Sequence, residues 1–251
     1  MGMRPARTIE FGAAQFEVYD HPPRLSRDEF CRQHGIDPAK RILLYAGSSK
    51  DTDEFEHLRM IEAAIDRGEL TNVSVVYRPH PWGAGGYKGE RLLDYPWRHV
   101  AIDNSMRSYL EAIRAGRKEK YLADYADTND VLSSIDALVS PLSTIILEGA
   151  LHGKPVLCLM GEQTPGASFD LQKRMVHFED LYRCPAVLMA QDVSALTEKL
   201  AELLSHVGDP VYSETLRAAC RHFVAEFDAP FSERIVGFLE GVAAEARSAR
   251  V

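Results

Sequence analysis

The sequence predicts an α/β protein in which helices cover both faces of a parallel sheet. The candidate strands are short and nearly continuously apolar, as in Ile42 to Ala46, and strands of this kind are buried on both faces. Helical patterns separate successive strands, which is typical of parallel strands joined by crossovers. The chain of 251 residues is long enough for one large α/β domain or two small ones. Ligands of such sheets bind beyond the carboxyl ends of the strands, where the strand order reverses.

Strands and helices alternate along the chain. Strands are expected at residues 42–46, 73–77, 100–102, 137–139, 156–160 and 186–189. Helices are expected at residues 26–34, 53–67, 127–135, 176–182, 192–204, 212–227 and 233–246, and a short one after Ser143. Ser26 and Glu29 are spaced to cap the first helix, and Gly35 ends it. Residues 104–124 are polar and are expected to form an insertion or a lid.

Composition excludes several classes of function. A formal charge of −8 argues against sequence-independent binding of nucleic acid. The four cysteines are far apart and no histidine lies at finger spacing, so we expect no metal site and no disulfide framework, only reduced and mostly buried thiols. No apolar run approaches the roughly 20 residues that cross a bilayer, and the amino terminus lacks the apolar core of a signal peptide. We expect a cytoplasmic protein, either free or peripheral to the inner face of the membrane.

Residues 140–155 carry the pattern of a strand end, a hydroxyl-rich turn and a short helix. Ser143 is the expected N-cap, and Gly153 ends the helix. The free amides of the first turn and the hydroxyls of Ser140, Ser143 and Thr144 point to the same space, which favours a phosphate. The alternative is an ordinary hydroxyl cap with no ligand.

The turn after the first strand reads Gly47-Ser48-Ser49. It lets the backbone approach a ligand and offers two hydroxyls. It matches neither the dinucleotide fingerprint nor the P-loop, so both of those interpretations are disfavoured. A plain strand-to-helix turn is the alternative interpretation.

Residues 78–81 read Arg-Pro-His-Pro and follow the second strand. The two prolines fix the chain on either side of His80 and present its imidazole on a rigid loop. His80 can donate to a phosphate, and Arg78 can pair with one bidentately if it faces the same way. The alternative is a surface arginine beside a satisfied turn histidine.

Glu148 lies four residues after Thr144, and therefore on the same helix face one turn deeper. A ribose hydroxyl would reach this position if a phosphate bound at Thr144. Glu148 could equally be an exposed helix residue or a partner for Lys154. His152 is explained by the favourable dipole at the helix end. The sequence shows no paired carboxylates and no hydrolase motif.

The order and spacing of these motifs resemble the carboxyl-terminal half of GT-B glycosyltransferases, which is a Rossmann-like domain. The groups that look most similar are CDP-glycerol glycerophosphotransferase-like enzymes and capsule or sialic-type transferases. The resemblance covers about residues 9 to 240. It rests on the motifs at residues 78–81 and 140–155, on Phe231-Ser232-Glu233-Arg234-Ile235, and on a linker-like segment at residues 12–17.

The resemblance implies a donor-binding site without a metal or a cofactor. The donor would be a CDP-, CMP- or UDP-linked compound, and His80 is the candidate catalytic residue. The implied contacts are Arg78 and His80 with the phosphates, Ser140, Ser143 and Thr144 with phosphate or base, Glu148 with ribose, and Gly47 and Ser48 with the diphosphate.

The resemblance also implies an amino-terminal acceptor half, and we expect this half to be missing because the chain begins near the linker. We predict a linker with one helix at residues 1–40 and a nucleotide-binding domain with carboxyl-terminal helices at residues 41–251. Without the acceptor half, we expect no turnover. Two other interpretations stay open: a nucleotide-binding scaffold or sensor without turnover, and one half of a UDP-sugar 2-epimerase-like enzyme.

Overall fold

A computed structural model describes residues 9–48, 52–83, 91–117, 121, 124–159, 184–224 and 227–248. Within these residues, six strands form one parallel sheet, which confirms the predicted fold class. They are β1 (Arg41–Ala46), β2 (Val73–Arg78), β3 (Val100–Ile102), β4 (Ala137–Pro141), β5 (Val156–Leu159) and β6 (Leu188–Ala190).

The strand order across the sheet is β3-β2-β1-β4-β5-β6. The chain therefore builds outward from β1 to β3 and then returns to add the other three strands on the opposite side of β1. Tyr45 of β1 pairs with Tyr77 of β2 and with Val139 of β4, so the central strands end at the same edge. The strand order reverses between β1 and β4, and this is the place where open α/β sheets bind ligands.

Eight α-helices are described. They are α1 (Arg27–His34), α2 (Glu54–Asp66), α3 (Asn104–Arg114), α4 (Tyr125–Ser134), α5 (Ile145–Leu151), α6 (Leu196–Ser205), α7 (Pro210–Cys220) and α8 (Phe231–Ser248). Two segments depart from the expected bounds: residues 104–114 are helical, and the helix expected at residues 212–227 ends at Cys220, where a 3₁₀-helix (Arg221–Phe223) follows. The capping box predicted for α1 is present: the Ser26 amide donates to Glu29 at 2.9 Å, and the Glu29 amide donates to the Ser26 hydroxyl at 3.3 Å. Gly35 ends α1 with a φ of +65°.

Helices pack on both faces of the sheet. Ala137 and Val139 of β4 belong to a buried cluster that includes side chains of α2, α3 and α6. Leu138 lies between them and points to the opposite face, because successive strand residues alternate. There it meets Gly149 of α5, where an added Cβ would lie 2.7 Å from the Leu138 Cδ2 atom. The close approach of α5 to the sheet therefore requires a glycine.

The prediction of an insertion or a lid at residues 104–124 is wrong for its first half. Residues 104–114 form helix α3, and Met106, Tyr109, Leu110 and Ala112 are buried in the core. The segment looks polar because its charged residues face solvent while the apolar ones share one side, which is the pattern of an amphipathic helix. The helix expected at residues 176–182 lies outside the described residues.

Contacts divide the chain into two units. One is Pro23–Cys220, which contains the sheet, and the other joins Met1–Pro22 to Arg221–Val251. The helix α1 therefore groups with the sheet, whereas the sequence assigned it to the segment 1–40. The division of function at residue 40 stays a prediction.

The second unit joins the two terminal motifs of the sequence. Glu17 lies in a 3₁₀-helix (Ala14–Asp20), and its carboxylate accepts from the Phe231 amide at 2.6 Å and from Arg234 at 3.1 Å. The Arg234 guanidinium also donates to the Phe11 carbonyl at 2.6 Å. The linker-like segment and the motif at residues 231–235 thus bind each other through an arginine and a glutamate.

The four cysteines are buried, as expected for most of them. Among the described residues, no group of histidine, cysteine and acidic side chains could hold a metal ion. The same part of the chain contains no helix with the length and apolar character needed to cross a membrane.

Candidate functional site

The turns after β1, β2 and β4 lie side by side at the carboxyl edge of the sheet, because β1 lies between the other two strands. Neighbouring strands are about 4.8 Å apart, so these three strands span about 10 Å. The turns contain Ser48, His80 and Ser143, and the strand order reverses between the first and the last of them. The fold therefore brings the three predicted motifs to one place.

The turn after β1 is held from below by a buried acid, Glu54, in the first turn of α2. The Ser48 amide donates to Glu54 Oε1 at 2.6 Å, and the Tyr77 hydroxyl donates to Oε2 at 2.5 Å. Both Glu54 and Tyr77 have no exposed surface. Burial raises the pKa of the Glu54 carboxyl to about 7, although the hydrogen bonds from Tyr77 and Ser48 lower it. Glu54 therefore titrates near neutral pH.

Gly47 is required where it stands, because the Glu54 carboxyl packs against its Cα. A Cβ added at Gly47 would lie 2.5 Å from Oε2 and 2.8 Å from Oε1. From the sequence, Gly47 was expected to let a ligand come close to the backbone. In the structure, the Glu54 carboxyl lies in the space that a side chain at Gly47 would fill.

Arg78 is buried, so the sequence alternative of a surface arginine is wrong. Its guanidinium donates to Asp103 at the end of β3, to Ser105 Oγ at 3.1 Å and to Thr128 Oγ1 at 3.4 Å. Burial raises the pKa of Asp103, but His34 and Arg78 outweigh it and lower the pKa to about 2. The charge of Arg78 is thus compensated within the protein, and its contact with a donor phosphate stays a prediction.

His80 is half-buried and has one ring nitrogen in use. The Trp82 amide donates to its Nδ1 at 3.1 Å, and the Gly83 amide donates to its carbonyl at 2.9 Å. Because Nδ1 accepts, the neutral ring carries its proton on Nε2. Burial also lowers the pKa of His80, which favours this neutral form. Nε2 has no hydrogen-bond partner among the described residues and can donate to a phosphate oxygen.

Gly83 joins the loop after β2 to the turn after β1. A Cβ added at Gly83 would lie 2.4 Å from the Ser48 carbonyl oxygen and 3.1 Å from the His80 Cβ. The two backbones therefore touch, and the position of His80 is tied to that of Ser48.

Replacing Gly83 by alanine should separate these two turns. We expect Gly83→Ala to lower the free energy of unfolding by about 1–3 kcal/mol, since the new methyl group overlaps a backbone oxygen that cannot rotate away. Gly237→Ala in α8 is the matched control, because an added Cβ there meets nothing within 4 Å. It should leave stability unchanged or raise it by up to about 1 kcal/mol. Urea unfolding of both variants measures the difference, and equal effects would contradict the close contact.

The third turn offers hydroxyls, but not in the predicted arrangement. Ser140 is fully buried and its hydroxyl donates to the Pro141 carbonyl at 2.8 Å, so it shapes the strand end. The predicted N-cap at Ser143 is wrong: the N-cap of α5 is Thr144, whose side chain makes no capping hydrogen bond. Thr144 has helical φ and ψ angles, and a capping side chain needs an extended residue at that point. The hydroxyls of Ser143 and Thr144 are hydrogen-bonded to none of the described residues.

Glu148 is 6% exposed, which rules out the alternative of an exposed helix residue. Lys154 donates to the Ser133 carbonyl at 3.3 Å. The dipole explanation for His152 is incomplete, because its ring contacts the Glu148 carbonyl at 2.9 Å and Asn129 Oδ1 at 3.0 Å. Burial lowers the pKa of His152, which favours the neutral ring. The ring is therefore held by its contacts with the Glu148 carbonyl and Asn129 Oδ1, and not by a charge at the helix end. A ribose contact for Glu148 stays a prediction.

Sequence reasoning missed Glu54, Asp103 and Gly83 as parts of this site. Glu54 was hidden in the acidic run that caps α2, where Asp53 accepts from the Glu56 amide at 3.1 Å. Asp103 follows β3 and caps α3. A single acidic residue directly after a predicted strand was the one feature of the sequence that could have indicated its place in the site. Gly83 was visible only as one of several glycines in a loop.

No family model and no curated protein matches this sequence. Solved structures do match it. A variant of the wall teichoic acid polymerase TagF has a TM-score of 0.54 at 15% identity, over 98% of this chain and 55% of TagF. A putative UDP-N-acetylglucosamine 2-epimerase from Listeria monocytogenes also has a TM-score of 0.54, at 12% identity, over 97% of this chain and 56% of the epimerase.

The chain has the fold of one half of a GT-B protein. The chain spans little more than half the length of the structures it matches. A TagF structure soaked with CDPG matches it with a TM-score of 0.51 at 16% identity, over 98% of this chain and 53% of TagF. At such identities the likeness is one of fold, and function must be argued from the site.

Proposed function

We propose that this chain is the donor nucleotide-binding half of a glycosyltransferase or glycerophosphotransferase of surface polysaccharide synthesis, and that it binds a CDP-, CMP- or UDP-linked donor. One observation carries the proposal. At the carboxyl edge of the sheet, after the strands that flank β1, His80 Nε2 and the hydroxyls of Ser143 and Thr144 have no hydrogen-bond partner among the described residues. Donors that stand at one edge of a parallel sheet in this way suit a phosphate.

The chemistry expected at this site is binding and charge stabilisation. When the bond to the donor phosphate breaks, negative charge grows on the leaving phosphate oxygens. A neutral His80 that donates through Nε2 would stabilise this charge, and the hydroxyls of Ser143 and Thr144 would add to it. Such a site needs no metal ion. We assign no described residue as the base that activates an acceptor; the resemblance to GT-B enzymes places such a base in the acceptor half.

Ligand protection tests the proposal. CMP, CDP, UDP or a UDP-sugar should raise the melting temperature, since a tenfold excess over Kd contributes about 1.4 kcal/mol to stability. His80→Ala should weaken binding by about tenfold or more, because one hydrogen bond to a charged group contributes roughly 1.5–3 kcal/mol. Ser143→Ala should weaken it by a smaller factor. Calorimetric titration gives the Kd of each variant.

Matched controls lie away from the carboxyl edge. His206 stacks on Tyr212 at the end of α6. This end of α6 lies at the opposite edge of the sheet, because the Leu204 carbonyl accepts from Arg41 at the start of β1. His206→Ala should therefore leave the Kd unchanged. Trp97→Phe leaves Trp82 as the one tryptophan of the chain, 65% exposed and two residues from His80, as a fluorescence reporter of binding. Unchanged melting and unchanged fluorescence with all four nucleotide types would refute the proposal.

A second candidate is one half of a sugar-nucleotide 2-epimerase-like enzyme. The observation that favours it is the equal TM-score of 0.54 for the Listeria epimerase. Both candidates use the same nucleotide site and differ in the other half. Product analysis with an added amino-terminal domain separates them, because a transferase extends an acceptor whereas an epimerase inverts a sugar carbon. Recovery of transfer would also exclude a scaffold without turnover.

A further inference from the structure

The buried acid Glu54 lies directly beneath the Gly47–Ser48 turn of the proposed site. Its Oε1 accepts the Ser48 amide at 2.6 Å, and Gly47 has no side chain to separate the carboxyl from a ligand above the turn. The carboxyl therefore occupies an amide that a phosphate would otherwise use. It also places a titrating group next to the expected position of the phosphate.

We propose that Glu54 is a positioning residue for phosphate binding at the Gly47–Ser48 turn, and that loss of its proton weakens this binding. The inference rests on the proposed function. As a neutral acid, Glu54 holds the turn through Ser48 and Tyr77 and adds no charge. As a carboxylate, it places a negative charge beneath a negatively charged ligand in a buried environment, where water screens the repulsion poorly.

The groups around Glu54 provide no positive charge among the described residues. Tyr77 faces it from β2 and Tyr45 faces it from β1. Asp53 is the N-cap of the helix that contains Glu54, and His57 lies in that helix. Burial lowers the pKa of His57 to about 4, and its Nδ1 lies 2.7 Å from the Tyr45 hydroxyl. His57 is therefore neutral at pH 6–8, and the described residues place no lysine or arginine in an ion pair with Glu54. The pKa of Glu54 is about 7, so Glu54 loses its proton between pH 6 and 8.

The test compares the pH dependence of binding in matched variants. Titrations with CDP and with inorganic pyrophosphate at pH 6, 7 and 8 give the Kd of the wild type and of Glu54→Gln. We expect the wild type to bind about tenfold more weakly at pH 8 than at pH 6, relative to Glu54→Gln, because coupling between two charged sites is commonly of this size. Both proteins meet the same ligand, so titration of the ligand itself cancels in the comparison.

Two further variants separate this role from a structural one. Glu62→Gln removes another buried carboxyl of α2, which accepts from the Arg98 and His99 amides at 2.6 and 3.0 Å and lies eight residues from Glu54. It should keep the pH profile of the wild type. Tyr77→Phe removes a hydrogen bond that lowers the pKa of Glu54, so the pKa of Glu54 should rise in this variant. The affinity of Tyr77→Phe for CDP and pyrophosphate should therefore begin to fall at a higher pH than that of the wild type.

The outcomes distinguish the inference from the proposed function. Binding with the same pH profile in wild type and Glu54→Gln would overturn the inference and leave the proposed function standing. Absence of binding of pyrophosphate, CMP, CDP, UDP and a UDP-sugar in both proteins at every pH, with intact thermal unfolding, would overturn the proposed function and the inference together.

Discussion

Arg78→Met is expected to lower the free energy of unfolding by about 3–5 kcal/mol, which is the usual cost of removing one partner from a buried ion pair. The side chains of Arg78 and Asp103 are 6% and 4% exposed. Without the guanidinium, Asp103 stays buried and has no arginine or lysine in an ion pair with it among the described residues, while His34 Nε2 lies 3.5 Å from its Oδ1. Urea unfolding at pH 7 measures the loss.

Two comparisons check the cause of this loss. Arg98→Met removes an arginine that pairs with Asp66 but is 65% exposed, and it should cost less than about 1 kcal/mol. Adding Asp103→Asn to Arg78→Met should restore part of the stability, because the amide carries no charge and can still cap α3 by accepting the Ser105 amide. A double variant less stable than Arg78→Met would show that an uncompensated charge is not the reason.

Glu54→Gln is expected to change the pH dependence of stability by about 3 kcal/mol. The pKa of Glu54 is raised from 4.5 to about 7 in the folded protein. Its contribution to stability is therefore fully present below pH 4.5 and is lost as the pH rises to about 7. The free energy of unfolding of the variant, relative to the wild type, should rise by about 3 kcal/mol between pH 4.5 and 7.5.

The wild type alone would not reveal this change, because His57 acts in the opposite direction. The pKa of His57 is lowered from 6.5 to about 4, so its contribution is present above pH 6.5 and is lost as the pH falls. The two effects largely cancel between pH 4.5 and 6.5. Urea unfolding of wild type and Glu54→Gln across this range isolates Glu54, and Glu62→Gln again serves as the control. Parallel pH curves for wild type and Glu54→Gln would show that Glu54 does not titrate in this range.

The sequence predicted most strands and helices because their signals are local. β1 is a run of apolar residues, and α1 has a capping box at its start and a glycine at its end. The segment at residues 104–114 was interpreted wrongly because its apolar residues are spaced around a helix turn among charged ones. The N-cap of α5 is Thr144 and not Ser143, and the helical φ and ψ angles of Thr144, which its sequence context does not specify, leave its side chain without a capping hydrogen bond.

By itself, the sequence determined the α/β class and the three motifs that gather at the carboxyl edge, since apolar runs, prolines and glycines act on their immediate neighbours. Only the tertiary structure decided what those motifs contact. Arg78 meets Asp103 across 25 positions, and Tyr77 meets Glu54 across 23. Such pairings depend on strand order, which no local pattern specifies. They place a compensated arginine and a buried acid behind the turns where the sequence predicted only groups that face a ligand.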